Sequence, residues 1–446
     1  MKALAVVFCL VFSAGAVADD PARPAADRLD AIVAGLEGLT PALSGLQLVT
    51  LKARDIDISY AAGSARIGGE TPVPLARHHK VRVASISKLV AAIGLMRLVE
   101  GERLKLDGDV SFYLGWKLRN PSFPSRHITL RQLLSHTSSI RDTGGYFLPA
   151  GESFRDFFLE GSAHYKGGAH FASGKGRQPG RYFSYANLNF GLIAAVIETI
   201  SGQRFDRFMT QQVLEPLGLS ASFRACDISD RELATLYRKG DTGGNWQPSG
   251  AWRAQVDGDE LLCHYGAKQR PRGEPALLPL AGYWPGENPS LFSPQGGLRA
   301  SAEDLAVIMK MLLNEGRHGE TQILQPANVR KMLAPAWTYD GLKSNGDTGG
   351  EGGPVGLMTS YGLSVHRADM AEWGLSDKPQ MLYGHLGEAY GLLGGFWFDP
   401  VTKDGLIALI TGTADDPAKS PQSTSMGTSP LYRVEEEILR WWLAQR

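Results

Sequence analysis

The stretch Val81-Arg-Val-Ala-Ser-Ile-Ser-Lys-Leu-Val-Ala-Ala92 carries a Ser-x-x-Lys pair at the start of a helical pattern. Apolar residues recur with helical spacing as far as Leu98, and Gly101 is predicted to end the helix in a left-handed backbone conformation. Positions i and i+3 share one face of a helix, so we expect the amine of Lys88 beside the hydroxyl of Ser85. A desolvated amine can take a hydroxyl proton, and N–H groups at a helix start can stabilise an oxyanion. The pattern therefore predicts an activated serine nucleophile.

The same spacing has a simpler interpretation. A Ser-x-x-Lys arises about once by chance in a chain of this length. Taken alone, Ser85 could be a helix N-cap and Lys88 a solvated surface residue. Sequence elsewhere in the chain has to separate the two interpretations.

Composition and charge restrict the class of protein. Residues Met1–Ala18 are typical of a cleaved secretory signal, with a basic start, an apolar core too short to span a membrane, and Ala16-Val-Ala18 as the cleavage site. The whole chain has 46 Lys+Arg and 46 Asp+Glu, and the signal contains only one of these, Lys2, which leaves 45 basic and 46 acidic residues. This balance argues against nucleic acid or an anionic membrane as a partner. We expect a periplasmic or secreted protein without a membrane anchor after cleavage.

Two cysteines, Cys226 and Cys263, remain after removal of the predicted signal. Thiols in an oxidising compartment often pair, and neither residue stands in a Cys/His cluster of the kind that binds zinc. We therefore expect a disulfide between them, no metal site and no cofactor.

Strand patterns lie at both ends of the chain, and helical patterns fill the middle. The predicted strands are Leu46–Leu51, Ile56–Ala61, Gly362–His366, Met381–His385, Gly394–Asp399 and Leu406–Thr411. The predicted helices besides the one at Ser85 are Asp27–Leu39, Thr129–His136, Leu188–Ile200, Ser301–Asn314 and Tyr432–Ala444.

This distribution predicts an α+β fold, in which one antiparallel sheet is assembled from both chain ends and flanked by helices. We expect a single catalytic domain over residues 19–446. Its α/β part would comprise about residues 27–88 and 301–446, and a mostly helical region would be inserted at about 89–300. Residues 226–294 are rich in Gly, Pro and charge and are interpreted as loops and short strands, a possible variable insertion.

Two further short motifs follow the Ser-x-x-Lys pair in order. Tyr185-Ala-Asn187 stands directly before a helical pattern, and His385-Leu-Gly387 ends a strand pattern. His-x-Gly also occurs at His264-Tyr-Gly266, so this motif alone decides little. Their longer flanks are Ile128–Ile140, Gly296–Leu305 and Tyr383–Gly387.

In this order and with these flanks, the chain resembles the class C-type branch of the serine β-lactamases and penicillin-binding proteins, over roughly residues 27 to 445. That branch includes D-alanyl-D-alanine carboxypeptidases, D-aminopeptidases and family VIII carboxylesterases. The resemblance implies a β-lactamase/transpeptidase-like fold. It also implies an exported serine hydrolase that forms an acyl-enzyme with a small-molecule ester, amide or peptide substrate. Agreement of several flanks favours a catalytic Ser85 over a helix cap.

Carried over residue by residue, the resemblance makes Ser85 the acylated nucleophile and Lys88 and Tyr185 the proton-transfer pair. A tyrosine has an ordinary pKa of ~10, so a Lys88 cation would have to favour its anion. Which of the two takes the serine proton is left open. Asn187 would bind the acyl-side amide and help to position Lys88.

The resemblance also assigns the oxyanion hole. Its donors would be the backbone N–H groups of Ser85 and Glu388, and Gly387 would let substrate lie close against the strand. His136 and His264 are interpreted as structural.

The strand motif departs from the Lys-Thr-Gly that is usual in class C β-lactamases. His385 is predicted to line the pocket, and its ordinary pKa of ~6.5 predicts a change of charge near neutral pH. Leu386 replaces a small hydroxyl donor, which argues for an ester or amide substrate with little charge. Two alternatives stay open: a weak class C-type β-lactamase, and a non-catalytic relative that binds cell-wall peptide or acts as a scaffold.

Overall fold

The computed structural model describes residues 23–35, 42–68, 71–241, 245–258, 280, 282–341, 345–349, 355–414, 416 and 429–446. The predicted signal Met1–Ala18, Cys263 and His264 lie outside the described residues. No helix within the described ranges is both long and apolar enough to cross a membrane.

A nine-stranded antiparallel sheet is the centre of the described structure. The strands, in chain order, are β1 (Leu43–Lys52), β2 (Asp55–Arg66), β3 (Val73–Pro74), β4 (Val81–Arg82), β5 (Leu236–Gly240), β6 (Ala251–Val256), β7 (Arg299–Ala300), β8 (Arg317–His318), β9 (Thr321–Gln322), β10 (Trp337–Thr338), β11 (Ser360–Tyr361), β12 (His366–Asp369), β13 (Met381–Ala389), β14 (Leu392–Asp399) and β15 (Asp404–Thr413). The sheet has the order β10-β11-β12-β13-β14-β15-β1-β2-β3, and β4–β7, β5–β6 and β8–β9 form separate pairs. Leu48 of β1 lies opposite Ala408 of β15. The predicted sheet from both chain ends is confirmed.

Helices cover both faces of this sheet. They are α1 (Arg23–Ala34), α2 (Ile86–Glu100), α3 (Val110–Leu114), α4 (Leu130–Leu134), α5 (Leu188–Ser201), α6 (Phe205–Met209), α7 (Ala302–Leu313), α8 (Pro326–Leu333) and α9 (Arg433–Leu443). Short 3₁₀ turns occur at Phe154–Phe157, Lys166–Gly168, Glu215–Leu217, Ala225–Asp227 and Pro289–Phe292, and a π-helical turn at Thr210–Leu214.

The sheet separates two hydrophobic cores, because successive side chains of a strand point to opposite faces. In β15, Ile407 and Leu409 join the core formed with α2, α5 and α7. Leu406, Ala408 and Ile410 join the second core, formed with α1 and α9. The candidate site lies on the α2 face.

Local capping signals in the sequence predicted several element ends. The Ser301 hydroxyl accepts a hydrogen bond from the Asp304 N–H at 3.0 Å, and the Asp304 carboxylate accepts one from the Ser301 N–H at 2.7 Å. Thr129 and Gln132 form the equivalent capping box at the start of α4. Such reciprocal bonds satisfy N–H groups that have no partner inside the helix.

Two local predictions are wrong. Gly362–His366 is not a strand: residues 362–365 form the turn between β11 and β12, in which the Gly362 N–H donates to the Val365 carbonyl at 2.8 Å, and His366 is the first residue of β12. Ser364 adopts a φ of 61°, which reverses the chain there. Gly101 was predicted to be left-handed, but its φ is −75° and Glu102 takes the positive value of 57°. In both places the chain reversal falls on a residue other than glycine.

The predicted variable insertion, residues 226–294, contains the β5–β6 pair and the turn Pro289–Phe292 in its described part. Cys226 is disulfide-bonded. Because Cys263 lies outside the described residues, the pairing of Cys226 with Cys263 stays a prediction.

Candidate active site

The first element of the site is the turn that leads from β4 into α2. The Val83 N–H donates to the Leu298 carbonyl at 2.9 Å, which ties this segment to the residues before β7. Ala84 has a φ of 45°, a left-handed conformation that is uncommon for a residue with a Cβ. The chain thus turns sharply into α2 and leaves Ser85 half-buried at the helix start.

Lys88 lies one helical turn after Ser85 and is fully buried. Its Nζ donates hydrogen bonds to Ser85 Oγ at 2.8 Å, to Asn187 Oδ1 at 2.8 Å and to the Gln295 carbonyl at 3.0 Å. Three acceptors match the three N–H groups of an ammonium. The arrangement satisfies a buried charge that would otherwise be costly, and it directs one N–H at the serine oxygen.

Tyr185 contacts the same ammonium. Lys88 Nζ lies 4.8 Å from the centroid of the Tyr185 ring, a cation–π distance. The Tyr185 ring is 9% exposed and also stacks on the ring of His136, with 4.3 Å between centroids. The structure thus brings Ser85, Lys88, Tyr185 and Asn187 together at the N-terminal ends of α2 and α5.

The start of α5 is held by an acidic residue from another segment. The carboxylate of Asp142 accepts hydrogen bonds from the Asn187 N–H at 2.6 Å and from the Leu188 N–H at 2.9 Å. A carboxylate at a helix N-terminus stabilises the helix through these bonds and through the helix dipole. Asp142 therefore positions the residue that contacts Lys88.

Strand β13 forms the opposite wall. β12 pairs with β13 only from Met381 to Gly384, so beyond Gly384 β12 does not cover this edge of β13. A Cβ on Gly387 would lie 2.5 Å from the Val83 carbonyl oxygen. A glycine is thus required at position 387, because β13 lies this close to the segment that leads into α2. The sequence had predicted that Gly387 lets substrate lie close against the strand.

Glu388 follows Gly387 in β13. The Tyr432 hydroxyl donates to the Glu388 carboxylate at 3.3 Å, on the face of the sheet that packs against α9. The predicted roles of the Glu388 N–H and of Gly387 toward substrate stay predictions.

His385 is 1% exposed, and both of its ring nitrogens are hydrogen-bonded. Nδ1 lies 2.6 Å from the Leu386 carbonyl, which can only accept, so Nδ1 carries the proton. Nε2, at 2.8 Å, then accepts from the Tyr361 hydroxyl. Burial, assisted by the nearby Lys88 charge, lowers the pKa of His385 to about 3. The predicted change of charge near neutral pH is therefore wrong, and the role of His385 in substrate binding stays a prediction.

His366 supports a test of how strongly burial affects these histidines. It is 1% exposed, and burial lowers its pKa to about 4, below the ~6.5 expected in the unfolded chain. The unfolded state therefore binds more protons between these values, so the stabilising contribution is complete above pH ~6.5 and is lost as the pH falls. At pH 5, keeping His366 buried and neutral should lower the free energy of unfolding by about 2 kcal/mol relative to its value above pH ~6.5.

We expect the difference in the free energy of unfolding between the wild type and His366→Phe to change by about 2 kcal/mol between pH 7.5 and pH 5. Urea unfolding at constant ionic strength measures both proteins. Burial raises the pKa of Glu198 to about 7 and of Glu435 to about 8, so these carboxyls change the free energy of unfolding with pH in the opposite direction to His366. Both proteins contain them, so their contribution cancels in the difference. A difference independent of pH would contradict the lowered pKa.

The sequence model described as Beta-lactamase matches residues 33–425. The chain belongs to the beta-lactamase family. The match contains Ser85, Lys88, Tyr185 and His385, and it confirms the resemblance drawn from their motifs.

Curated relatives in this family match a part of the chain. D-alanyl-D-alanine-carboxypeptidase/endopeptidase AmpH of Escherichia coli strain K12 is 28% identical over 139 residues, which are 31% of this chain and 35% of AmpH. Penicillin-binding protein 4 of Amycolatopsis lactamdurans is 24% identical over 168 residues, 38% of this chain and 42% of that protein. The chain thus spans well under half the length of these curated relatives.

Solved structures match nearly the whole chain. The octameric penicillin-binding protein homologue from Pyrococcus abyssi has a TM-score of 0.62 at 19% identity and covers 95% of this chain and 78% of its own. D-amino acid amidase from Ochrobactrum anthropi SV3 has a TM-score of 0.60 at 18% identity, with 94% and 99% covered. These neighbours confirm the β-lactamase/transpeptidase-like fold. The family match and these neighbours thus agree on the fold of this chain.

Two contributors to this candidate site were not predicted from the sequence. The contact of Lys88 with Gln295 is made through a backbone carbonyl, which leaves no signature in the sequence. Asp142 caps α5, whose N-cap residue Asn187 lies 45 positions later in the chain, and a contact at that distance leaves no local signal in the sequence.

Proposed function

We propose that this protein is a serine hydrolase that forms an acyl-enzyme on Ser85 with small ester or amide substrates. The observation that carries the proposal is the position of Lys88 Nζ, 2.8 Å from Ser85 Oγ. Lys88 is fully buried and its charge is matched by three acceptors. Burial of a lysine costs free energy that its hydrogen bonds offset, and its position against a half-buried serine supports a role in activating that serine.

In the proposed reaction, Ser85 Oγ attacks the carbonyl carbon of the substrate and loses its proton to a neighbouring base. The carbonyl oxygen becomes an oxyanion, the bond to the leaving group breaks, and the leaving group takes up the proton. Water then attacks the carbonyl carbon of the acyl-enzyme and gives its proton to the same base, the bond to Ser85 Oγ breaks, and Ser85 takes up that proton as the acid is released.

We propose Tyr185 as the acceptor of the serine proton. A protonated Lys88 that donates to these three acceptors has no lone pair for the serine proton, and in that state Tyr185 is the neighbouring group that can take it. A cation close to a phenol favours the phenolate. The 4.8 Å from Lys88 Nζ to the Tyr185 ring supports this division of roles, with Lys88 orienting Ser85 and Tyr185 taking its proton.

The backbone N–H groups of Ser85 and Glu388 are the proposed donors to the oxyanion. Each such donor is typically worth ~3–4 kcal/mol of transition-state stabilisation. The stretch of β13 beyond Gly384, which β12 does not cover, offers backbone groups to which an extended acyl group can bind as an added strand.

The same strand suggests the substrate class. His385 is neutral near pH 7 and buried, and Leu386 lacks a hydroxyl, so neither offers a charge or an O–H to a substrate carboxylate. We propose neutral substrates, either carboxylic esters or amides resembling D-amino-acid peptides. Two structural neighbours have names in these classes: one is a D-amino acid amidase, and EstCE1 is a hydrolase with promiscuous acyltransferase activity.

A screen of purified protein with p-nitrophenyl esters, D-amino-acid amides and nitrocefin tests this proposal. We expect kcat/KM to be higher for a neutral ester or amide than for nitrocefin, which carries a carboxylate, and the Ser85→Ala protein to be the blank. Faster turnover of nitrocefin would favour the β-lactamase alternative. No turnover with any class would favour a binding or scaffold role.

We also propose that the protein is exported and acts in the periplasm or outside the cell on a small molecule. Residues Met1–Ala18 have the basic start, apolar core and small-residue site of a cleaved signal. Sequencing the amino terminus of exported protein checks this, since cleavage should leave a chain that starts near Asp19.

A further inference from the structure

His136 lies directly behind the proposed base. Its ring is fully buried and stacks on Tyr185 with 4.3 Å between centroids and 29° between planes. Its backbone has a φ of 54°, a conformation that a β-carbon makes unfavourable. Stacking of this kind fixes the plane of a neighbouring ring. His136 therefore constrains the ring of Tyr185.

Hydrogen bonds also tie His136 to the segment that carries Tyr185. The His136 carbonyl accepts from the Ser184 N–H at 2.8 Å, and Nδ1 accepts from the Ala186 N–H at 3.1 Å. The residues immediately before and after Tyr185 are thus both bound to this one histidine.

A third bond reaches the first turn of α5. The amide nitrogen of Asn189 lies 3.1 Å from His136 Nδ1, and its orientation is fixed because Asn189 Oδ1 accepts from the Ser138 hydroxyl at 2.7 Å. Nδ1 therefore accepts two N–H groups, so the ring proton must lie on Nε2.

This arrangement requires a neutral ring. An imidazolium would place an N–H of Nδ1 against the two groups that donate to it. Burial, with smaller contributions from the charges of Lys88 and His385, lowers the pKa of His136 well below its ordinary value. The groups that face the ring are thus a cation, a neutral histidine and aromatic rings, among them Tyr361 at 5.3 Å.

We propose that His136 is a positioning residue of the hydrolytic reaction, whose neutral ring holds Tyr185 by stacking and holds the backbone on both sides of Tyr185 by hydrogen bonds. This inference rests on the proposed function, because it assigns to His136 the placement of the proposed base. It extends the interpretation of His136 as a merely structural residue.

Two variants separate the two contributions. His136→Asn keeps an acceptor near the position of Nδ1 and tolerates the positive φ, but it removes the stacked ring. His136→Phe keeps a ring and removes the acceptor. His79→Asn is the matched control, because His79 is 4% exposed and its Nδ1 accepts a backbone N–H, from Ala76 at 2.8 Å.

Activity is measured per active site, after titration of Ser85 with a fluorophosphonate probe. For His136→Asn we expect kcat to fall ~10–100-fold, because a small misplacement of a reacting group has effects of this size, and KM to change less. We also expect the pH profile of kcat/KM to shift, since the surroundings of the base change. His79→Asn should keep the wild-type kcat per site and pH profile.

The control and the variants decide the outcome. If His136→Asn has the same kcat per labelled site and the same pH profile as the wild type, the proposal for His136 is overturned. The proposed function stays intact in that case, because the wild-type protein still turns over substrate. A wild-type protein that neither labels nor turns over substrate would instead overturn the proposed function itself.

A measurement on the wild type covers the case in which neither variant folds. Nitrogen-15 NMR of protein labelled at histidine distinguishes a ring nitrogen that carries a proton from one that accepts. We expect the His136 ring, assigned through its proton contacts with the stacked Tyr185 ring, to carry the proton on Nε2 and not to titrate near its ordinary pKa. If that ring titrates near its ordinary pKa, or carries the proton on Nδ1, the proposal is overturned.

Discussion

The Ser85→Ala protein should lose both covalent labelling by a fluorophosphonate or fluorescent penicillin and hydrolytic turnover. Removing the nucleophile of a cooperating catalytic set typically lowers kcat by ~10⁶-fold, because the remaining groups then have nothing to activate. The substitution deletes one half-buried oxygen that accepts a bond from Lys88, so the fold should persist. Peptide mapping of the labelled wild type and steady-state kinetics of both proteins measure the effect.

Ser87 provides a matched control on the same helix. It is fully buried, and its hydroxyl accepts a hydrogen bond from the Leu298 N–H at 3.0 Å, away from Lys88 Nζ. Ser87→Ala should still be labelled at Ser85. A label that maps to any other residue, or full turnover by Ser85→Ala, would remove Ser85 as the nucleophile.

Tyr185→Phe should lower kcat by ~10²–10⁴-fold, the usual contribution of a positioned acid or base. The phenyl ring keeps the stacking on His136 and the contact with Lys88, so only the hydroxyl is lost. Ser85 should still react, more slowly, with a reactive fluorophosphonate, because the nucleophile and Lys88 remain. Circular dichroism and thermal unfolding should match the wild type.

Tyr182→Phe is the control for loss of a hydroxyl from the same segment. Tyr182 stands three residues before Tyr185 and has the same exposed fraction, 9%. Its ring lies 4.1 Å from the Arg177 guanidinium carbon. Unchanged kinetics in Tyr182→Phe with a large loss in Tyr185→Phe would support the assignment, and wild-type kinetics in Tyr185→Phe would exclude Tyr185 as the base.

The sequence predicted those parts of the fold that depend on neighbouring residues. Ser301 and Asp304 are three positions apart, and their capping box could be read directly. The hairpin of β1 and β2 was also predicted, and the structure places its turn at Ala53 and Arg54, both with positive φ. Gly362–His366 was mistaken for a strand because its alternating pattern says nothing of the turn between β11 and β12.

The candidate site divides in the same way. Ser85 and Lys88 are related by helical spacing alone, whereas the bond from Lys88 to Asn187 joins residues 99 positions apart and was expected only from the resemblance. The state of His385 could not be read from the sequence, because its lowered pKa comes mainly from burial by distant segments. The sequence could thus predict that Ser85 and Lys88 lie side by side, but it could not predict the burial that sets the protonation state of His385.

The pairing of β1 with β15 has a consequence for the order of assembly during synthesis. Ser44 and Thr411, 367 positions apart, share a hydrogen bond of 2.8 Å across these strands. Contacts at such sequence separation close late and slow folding, because the intervening chain must lose its freedom first. A nascent chain emerging from the ribosome therefore holds Ser85, Lys88 and Asn187 long before it can complete the sheet. The sheet that forms one wall of the candidate site is therefore complete only after the final strands have been synthesised.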